Sequence, residues 1–247
     1  MPSSFSLLLA RVALIVGVST LVPVATAVPY HYVDWTAANV PGGTAAGTIT
    51  LPNLSTVGVT FAATYANGSS GNLYGAQVSG GGTNYWNPSA PYLSTQVDNA
   101  PGGTDIIQLS GGQSQIYTVT LSEAIKDPIM SIVSLGQPGV PTTYDFNAPF
   151  TIVSQGTGFW GGTGSSLTQL PGDILRGTEG HGTIQFIGTF STFSWTVPTP
   201  ESWHGFTFGI RTTEAIEPTH VPETASTLAL LGLGLSCGIV LRRRRAA

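Results

Sequence analysis

The stretch Ile184 to Arg211 limits the fold of this chain more than any other. Phe206, Phe208 and Ile210 alternate with Thr207, Gly209 and Arg211. Just before them Phe193, Trp195 and Val197 alternate with Thr192, Ser194 and Thr196, and earlier still Ile184, Phe186 and Phe190 share one parity. A period of two built from aromatic and β-branched residues puts the large side chains on one face of an extended strand and the small polar ones on the other. Three such segments in succession read as consecutive antiparallel strands, and a row of Phe and Trp on one face needs a second sheet to cover it. Val57, Val59 and Phe61, and then Tyr117, Val119 and Leu121, repeat the alternation. Pro128 to Leu135 differs: Ile129, Met130, Ile132, Val133 and Leu135 leave only serines between them. A run apolar on both parities is a strand buried on both faces.

What lies between these segments agrees. The 247 residues include 32 Gly and 17 Pro, while charged residues make up only 8%, so turns must be frequent and helices with charge-laced faces have no material. The expected architecture is all-β: an antiparallel two-sheet sandwich, jelly-roll-like, formed by one domain over residues 28–220. Pro-Gly-Gly-Thr occurs at Pro41 to Thr44 and again at Pro101 to Thr104. Because the flanking sequences differ, turn chemistry explains the recurrence better than duplication.

Charge removes one class of function. Between Val28 and His220 eleven acidic residues face three basic ones, Lys126, Arg176 and Arg211, for a net charge of −8. No basic stripe exists to neutralise phosphates, so no nucleic-acid partner is expected. Cation binding and repulsion from acidic polysaccharide both fit this sign. Cys237, the only cysteine, lies beyond this domain, so burial and sheet pairing must hold the domain without a disulfide. Within its apolar run Cys237 reads as a small hydrophobic filler.

Both ends carry a different pattern. Residues 1–27 hold Arg11, an apolar stretch from Val12 to Leu21, and Ala25-Thr26-Ala27. This is an N-terminal signal helix with small residues where a signal peptidase would cut before Val28; an uncleaved anchor is the alternative. Either way the chain leaves the cytoplasm. Residues 221–247 open with Val221-Pro222-Glu223, continue in an apolar run from Leu228 to Leu241, and reach Arg242, Arg243, Arg244 and Arg245. A hydrophobic helix followed at once by a cationic block is a membrane stop with its basic end in the cytoplasm. From Thr224 to Leu241 it sits at the lower edge of the roughly 17–25 residues a bilayer core requires.

This three-part tail resembles the PEP-CTERM sorting signal of bacterial exosortase cargo. The resemblance rests on Val221, Pro222 and Glu223, on Ser226, Thr227 and Leu228, on the Leu/Gly-rich helix and on the arginine block, in that order. Thr224 departs from it, since many members carry a second proline there. The resemblance implies recognition at Pro-Glu by a membrane-embedded, cysteine transpeptidase-like processing enzyme. Removal of the tail and release to the cell surface or the extracellular matrix would follow. The domain itself, above all Pro128 to Arg211, is similar to other cargo of that sorting class, which implies no activity.

Within the domain three sets of residues could carry chemistry. Tyr85, Trp86 and Tyr92, with Phe159 and Trp160, sit in the glycine-rich contexts GGTNYWNP and GTGFWGGT, and Trp203 precedes the last alternating segment. Aromatic rings on glycine-flanked loops can present flat faces to sugar rings, or fold inward and plug the end of the sandwich. Tyr85, Trp86, Trp160 and Trp203 are the candidate glycan-stacking residues. Glu179 and His181, in the Arg176 to His181 loop, with Glu201 and His204 before the final strand, would form a small polar site if strand order brings the two loops together. No HExxH or paired-histidine motif accompanies them, so hydrogen-bonded loop residues are expected there, with no catalytic group, metal or cofactor. Asp98, Asp105, Asp127, Asp145 and Asp173 lack the regular spacing of a calcium loop and read as turn residues. The expected function is structural or adhesive, an exported surface or biofilm-matrix protein with affinity for extracellular polysaccharide. A polysaccharide hydrolase or lyase using Glu179 and Glu201 is the alternative.

Overall fold

The computed structural model describes residues 29–211. The expected signal helix over 1–27 and the tail over 221–247, with Val221, Pro222, Glu223 and Arg242 to Arg245, lie outside them. Among the described residues no helix is long and apolar enough to cross a membrane.

Among the described residues fifteen strands follow one another. They are β1 (His31–Tyr32), β2 (Asp34–Asn39), β3 (Thr44–Thr50), β4 (Thr56–Tyr65) and β5 (Gly75–Gln77). After a long excursion come β6 (Ile106–Gly111), β7 (Gln115–Lys126), β8 (Ile129–Leu135), β9 (Thr142–Phe146) and β10 (Phe150–Gln155). The last are β11 (Leu167–Leu170), β12 (Ile174–Gly177), β13 (Gly180–Phe186), β14 (Thr189–Thr196) and β15 (Glu201–Ile210). All pair antiparallel in two sheets. One runs β10-β13-β8-β15-β6-β5, with β1 beside β15; the other runs β11-β12-β9-β14-β7-β4-β3-β2.

The sheets face each other across an aromatic interior, as the alternating segments require. Trp195 of β14 meets Phe206 of β15 edge-on, with ring centroids 5.1 Å apart, and Phe193 packs on Phe208 at 5.3 Å. Phe61, Tyr117, Tyr144 and Phe146 complete a ring around Trp195. Every one of these side chains is at most 5% exposed. The all-β, two-sheet architecture read from the sequence is therefore present.

Strand succession differs from the sequence reading. The last three alternating segments do not pair with one another: β13 and β15 flank β8 in one sheet, while β14 lies in the other between β7 and β9. Period two identifies strands and faces, but it holds no information about which neighbour a strand selects. A turn at Ile187 and Gly188 also separates Phe186 from Phe190, which lie in different strands.

β8 explains its own composition. All seven of its residues are buried. Met130 and Ile132 face the interior, while Ile129 and Val133 face outward under a second cover. That cover is the excursion between β5 and β6, which lays Trp86, Tyr92 and Val97 over the outer face of the sheet. The sheet of β8 is thus packed on both sides, and its outer cover positions the site described next.

Candidate ligand-binding surface

Four aromatic rings gather above the outer face of β15. Tyr85 lies 5.0 Å from both Phe159 and Trp203, centroid to centroid, and Trp160 lies 4.9 Å from Phe159 and 6.4 Å from Trp203. Trp160 is 55% exposed and Phe159 38% exposed, while Tyr85 and Trp203 are half-buried beneath them. Three separate segments therefore converge on one partly exposed aromatic surface.

Each segment is held locally. Gly158 and Gly161 exchange backbone hydrogen bonds, N–H to O=C, of 2.6 and 3.2 Å, which makes Phe159 and Trp160 the two central residues of a tight turn. Both rings then project away from the turn. The stem of that turn lies against the sheet: a Cβ on Gly158 would run into the His181 ring, and one on Gly162, whose φ is +81°, would meet the Glu179 carbonyl. Glycine is what lets the backbone approach this closely. Trp203 is aimed by a bulge, since β15 uses one extra residue between Glu201 and His204 against β6. Its indole N–H donates to Gln108 Oε1 at 3.2 Å.

Trp86 does not belong to this surface. Its ring is 2% exposed, packs edge-on against Tyr92, and its indole N–H donates to the Asp105 carbonyl at 3.2 Å. As a stacking residue it is corrected: its face and its donor are both used within the fold. Tyr92 is likewise fully buried. Adjacent Tyr85 and Trp86 point to opposite environments because Trp86 is needed to cover Ile106 and Val133.

The polar candidates do approach one another, though not as loops. Arg176 lies within β12, His181 belongs to β13, and Glu201, Trp203 and His204 lie within β15, so only Thr178 and Glu179 are a connection. A second bulge sets Val133 and Ser134 of β8 opposite the single residue His181. Ser134 and Glu179 both adopt left-handed backbone, with φ of 58° and 57°. Ser134 Oγ donates to Glu179 Oε1 at 2.6 Å. Non-glycine residues held at positive φ cost free energy and gather where geometry matters.

Beside this pair, His181 is fully buried, with Nε2 3.4 Å from Glu179 Oε1 and Nδ1 3.4 Å from the Tyr92 hydroxyl. Burial lowers its proton affinity to a pKa of about 4, so the imidazole is neutral at pH 7 and its contact with Glu179 is not an ion pair. Burial raises the Glu179 pKa, the Ser134 hydrogen bond opposes that, and the Glu201 charge adds to it. Glu179 and Glu201 therefore lie at the same end of the sheet, within electrostatic reach.

Glu201 and His204 point the other way, into the sandwich. Glu201 Oε2 sits 2.7 Å from His204 Nδ1, but out of line for a ring N–H to point at it, and both side chains are shielded from solvent. Tyr144 packs on His204 at 5.2 Å, and its hydroxyl finds no protein partner. Sequence reasoning missed Tyr144 and Ser134, since both sit within apolar or alternating runs where nothing marks a polar role.

Among the described residues no three His, Cys, Asp or Glu side chains are grouped to hold a metal ion. Asp105 instead accepts the backbone N–H groups of Trp35 and Gly80, and Asp127 accepts that of Gly188. A groove of about 460 Å³ beside Asp34 and Asp105 shares no residue with the aromatic surface. Comparison with protein-family models, with curated proteins and with solved structures finds no match for this chain.

Proposed function

We propose that this chain is an exported cell-surface or extracellular-matrix protein that holds polysaccharide on the surface formed by Tyr85, Phe159, Trp160 and Trp203. The observation that carries the reading is a four-ring aromatic surface, more than half open to solvent at Trp160, fixed by a glycine turn, a bulge and an indole hydrogen bond. Exposed rings lose hydrophobic stabilisation unless something covers them, and sugar rings offer flat C–H faces of matching size. Rigidity reduces the ordering cost of binding.

The export part of the reading rests on the terminal sequences. A signal helix over 1–27, handled by signal peptidase, and a PEP-CTERM-like tail over 221–247, handled by an exosortase-like enzyme, would deliver the domain across the inner membrane. Until processing, the C-terminal helix would hold it there. A jelly-roll-like winding, with the chain alternating between the sheets over its final third, belongs to the same proposal.

A hydrolase or lyase is the second reading, favoured by the proximity of Glu179 and Glu201. It is the weaker one, because the Glu201 side chain is only 1% exposed and faces the interior, where no sugar could reach it. The test is retention of the detergent-purified full chain on insoluble extracellular polysaccharides, with and without Ca²⁺, followed by a reducing-sugar assay. Retention without sugar release is expected; no retention on any polymer would overturn the binding role, and release would restore the enzyme reading.

A further inference from the structure

The aromatic surface supplies affinity for sugar faces but says nothing about which sugar. Glu179 is placed to supply that, because the turn that carries Phe159 and Trp160 rests its stem on the Glu179 backbone carbonyl and on the ring of His181, which lies 3.4 Å from the Glu179 carboxylate. Its Oε1 is taken by Ser134, while Oε2 accepts no hydrogen bond among the described residues, and 13% of the side chain reaches solvent. A carboxylate oxygen left with no donor is an acceptor awaiting one.

No cation neutralises it. The charge acting on Glu179 is that of Glu201, of the same sign, and none of Lys126, Arg176 and Arg211 acts on it. Residues 29–211 as a whole carry nine carboxylates against these three cations, a net charge of −6 with histidines neutral. Uronic-acid polymers would meet repulsion here. An ammonium group would meet a carboxylate with a free lone pair, and the turn whose stem meets the same residue's carbonyl would add the negative faces of its rings, two attractions that a neutral sugar cannot use in full.

Resting on the polysaccharide reading above, we infer that this surface selects amino-sugar polymers with free amines, and that Glu179 is the residue that selects them. An ammonium N–H donates to Glu179 Oε2 while the sugar rings lie on Trp160 and its neighbours.

The test compares retention of the full chain on fully acetylated and on deacetylated β-1,4-linked glucosamine beads, with alginate as the acidic polymer, at low ionic strength. The wild type should hold the deacetylated beads about tenfold more tightly than the acetylated ones, and alginate least. Glu179→Gln keeps the shape and an oxygen acceptor for Ser134, and should collapse that ratio. Glu123→Gln, at an exposed position of β7 in the other sheet, removes the same charge and should leave the ratio intact. An equal fall in both variants would mean that the overall field attracts the polycation, and an unchanged ratio in Glu179→Gln would show that the carboxylate selects nothing; either result overturns the inference. If the wild type binds both glucosamine polymers without preference, the inference fails and the polysaccharide reading stands. If it binds none of the three, both fail.

Discussion

The molecule holds two aromatic clusters, and they are built for opposite purposes. Around Trp195 six rings from both sheets interlock, each at most 5% exposed, and only Tyr117 among them has a hydrogen bond, its hydroxyl donating to the Ser110 carbonyl at 3.0 Å. On the outer face of β15, four rings are ordered by a turn, a bulge and an indole hydrogen bond, and two of them stand open. The first cluster is shaped by burial and stabilises the fold. The second needs local backbone devices because burial alone would not keep its rings in place.

Substitution in the first cluster should have the largest effect. Trp195→Ala removes the interior ring that meets the most other rings and should cost about 3–5 kcal/mol, read as a fall in the urea midpoint. A smaller loss, below about 1 kcal/mol, would mean that the two clusters are not distinct in kind.

His181 lies buried in β13 beneath the turn that carries the second cluster's open rings, and should reveal itself by pH. Its pKa is lowered from 6.5 to about 4 in the fold, so between those values the unfolded chain takes up a proton that the buried imidazole refuses. Stability should therefore fall as pH drops from 6.5 toward 4, by roughly 3 kcal/mol at about 1.4 kcal/mol per unit. Glu179, with its pKa raised above 4.5, acts in the opposite sense: its contribution is present at low pH and lost as pH rises through the folded value. In His181→Asn the acid-side loss should disappear and the opposite Glu179 slope remain, as chemical denaturation at a series of pH values would show. An unchanged profile would place the titrating group elsewhere.

The two clusters also differed in how legible they were. Phe193, Trp195, Phe206 and Phe208 announced themselves by period two, and the doubly buried β8 by an apolar run on both parities. Those signals depend only on local chain geometry. Partner choice between strands is a long-range matter: the three last segments read as consecutive antiparallel strands with their order left open, and the chain in fact crosses between the sheets from β13 to β14 and back to β15. At the outer site the sequence offered Tyr85, Trp160 and Trp203 as aromatic candidates, but it placed Trp203 ahead of the last strand rather than within β15 and could not separate Tyr85 from Trp86. What separates them is the cover that Ile106 and Val133 require, and those residues lie far along the chain. Ser134 was invisible, being one serine among several in an apolar strand, until the bulge turned it toward Glu179.

The most direct test of the account is a paired measurement on Trp160→Ala in the full chain: the denaturation midpoint, and retention on whichever polysaccharide holds the wild type. A ring that is 55% exposed should change stability by less than about 1 kcal/mol, while retention should fall at least about tenfold. Full retention with an unchanged midpoint would show that the open aromatic surface is not where the polymer binds. An unfolded variant would show that this cluster, like the one around Trp195, belongs to the core.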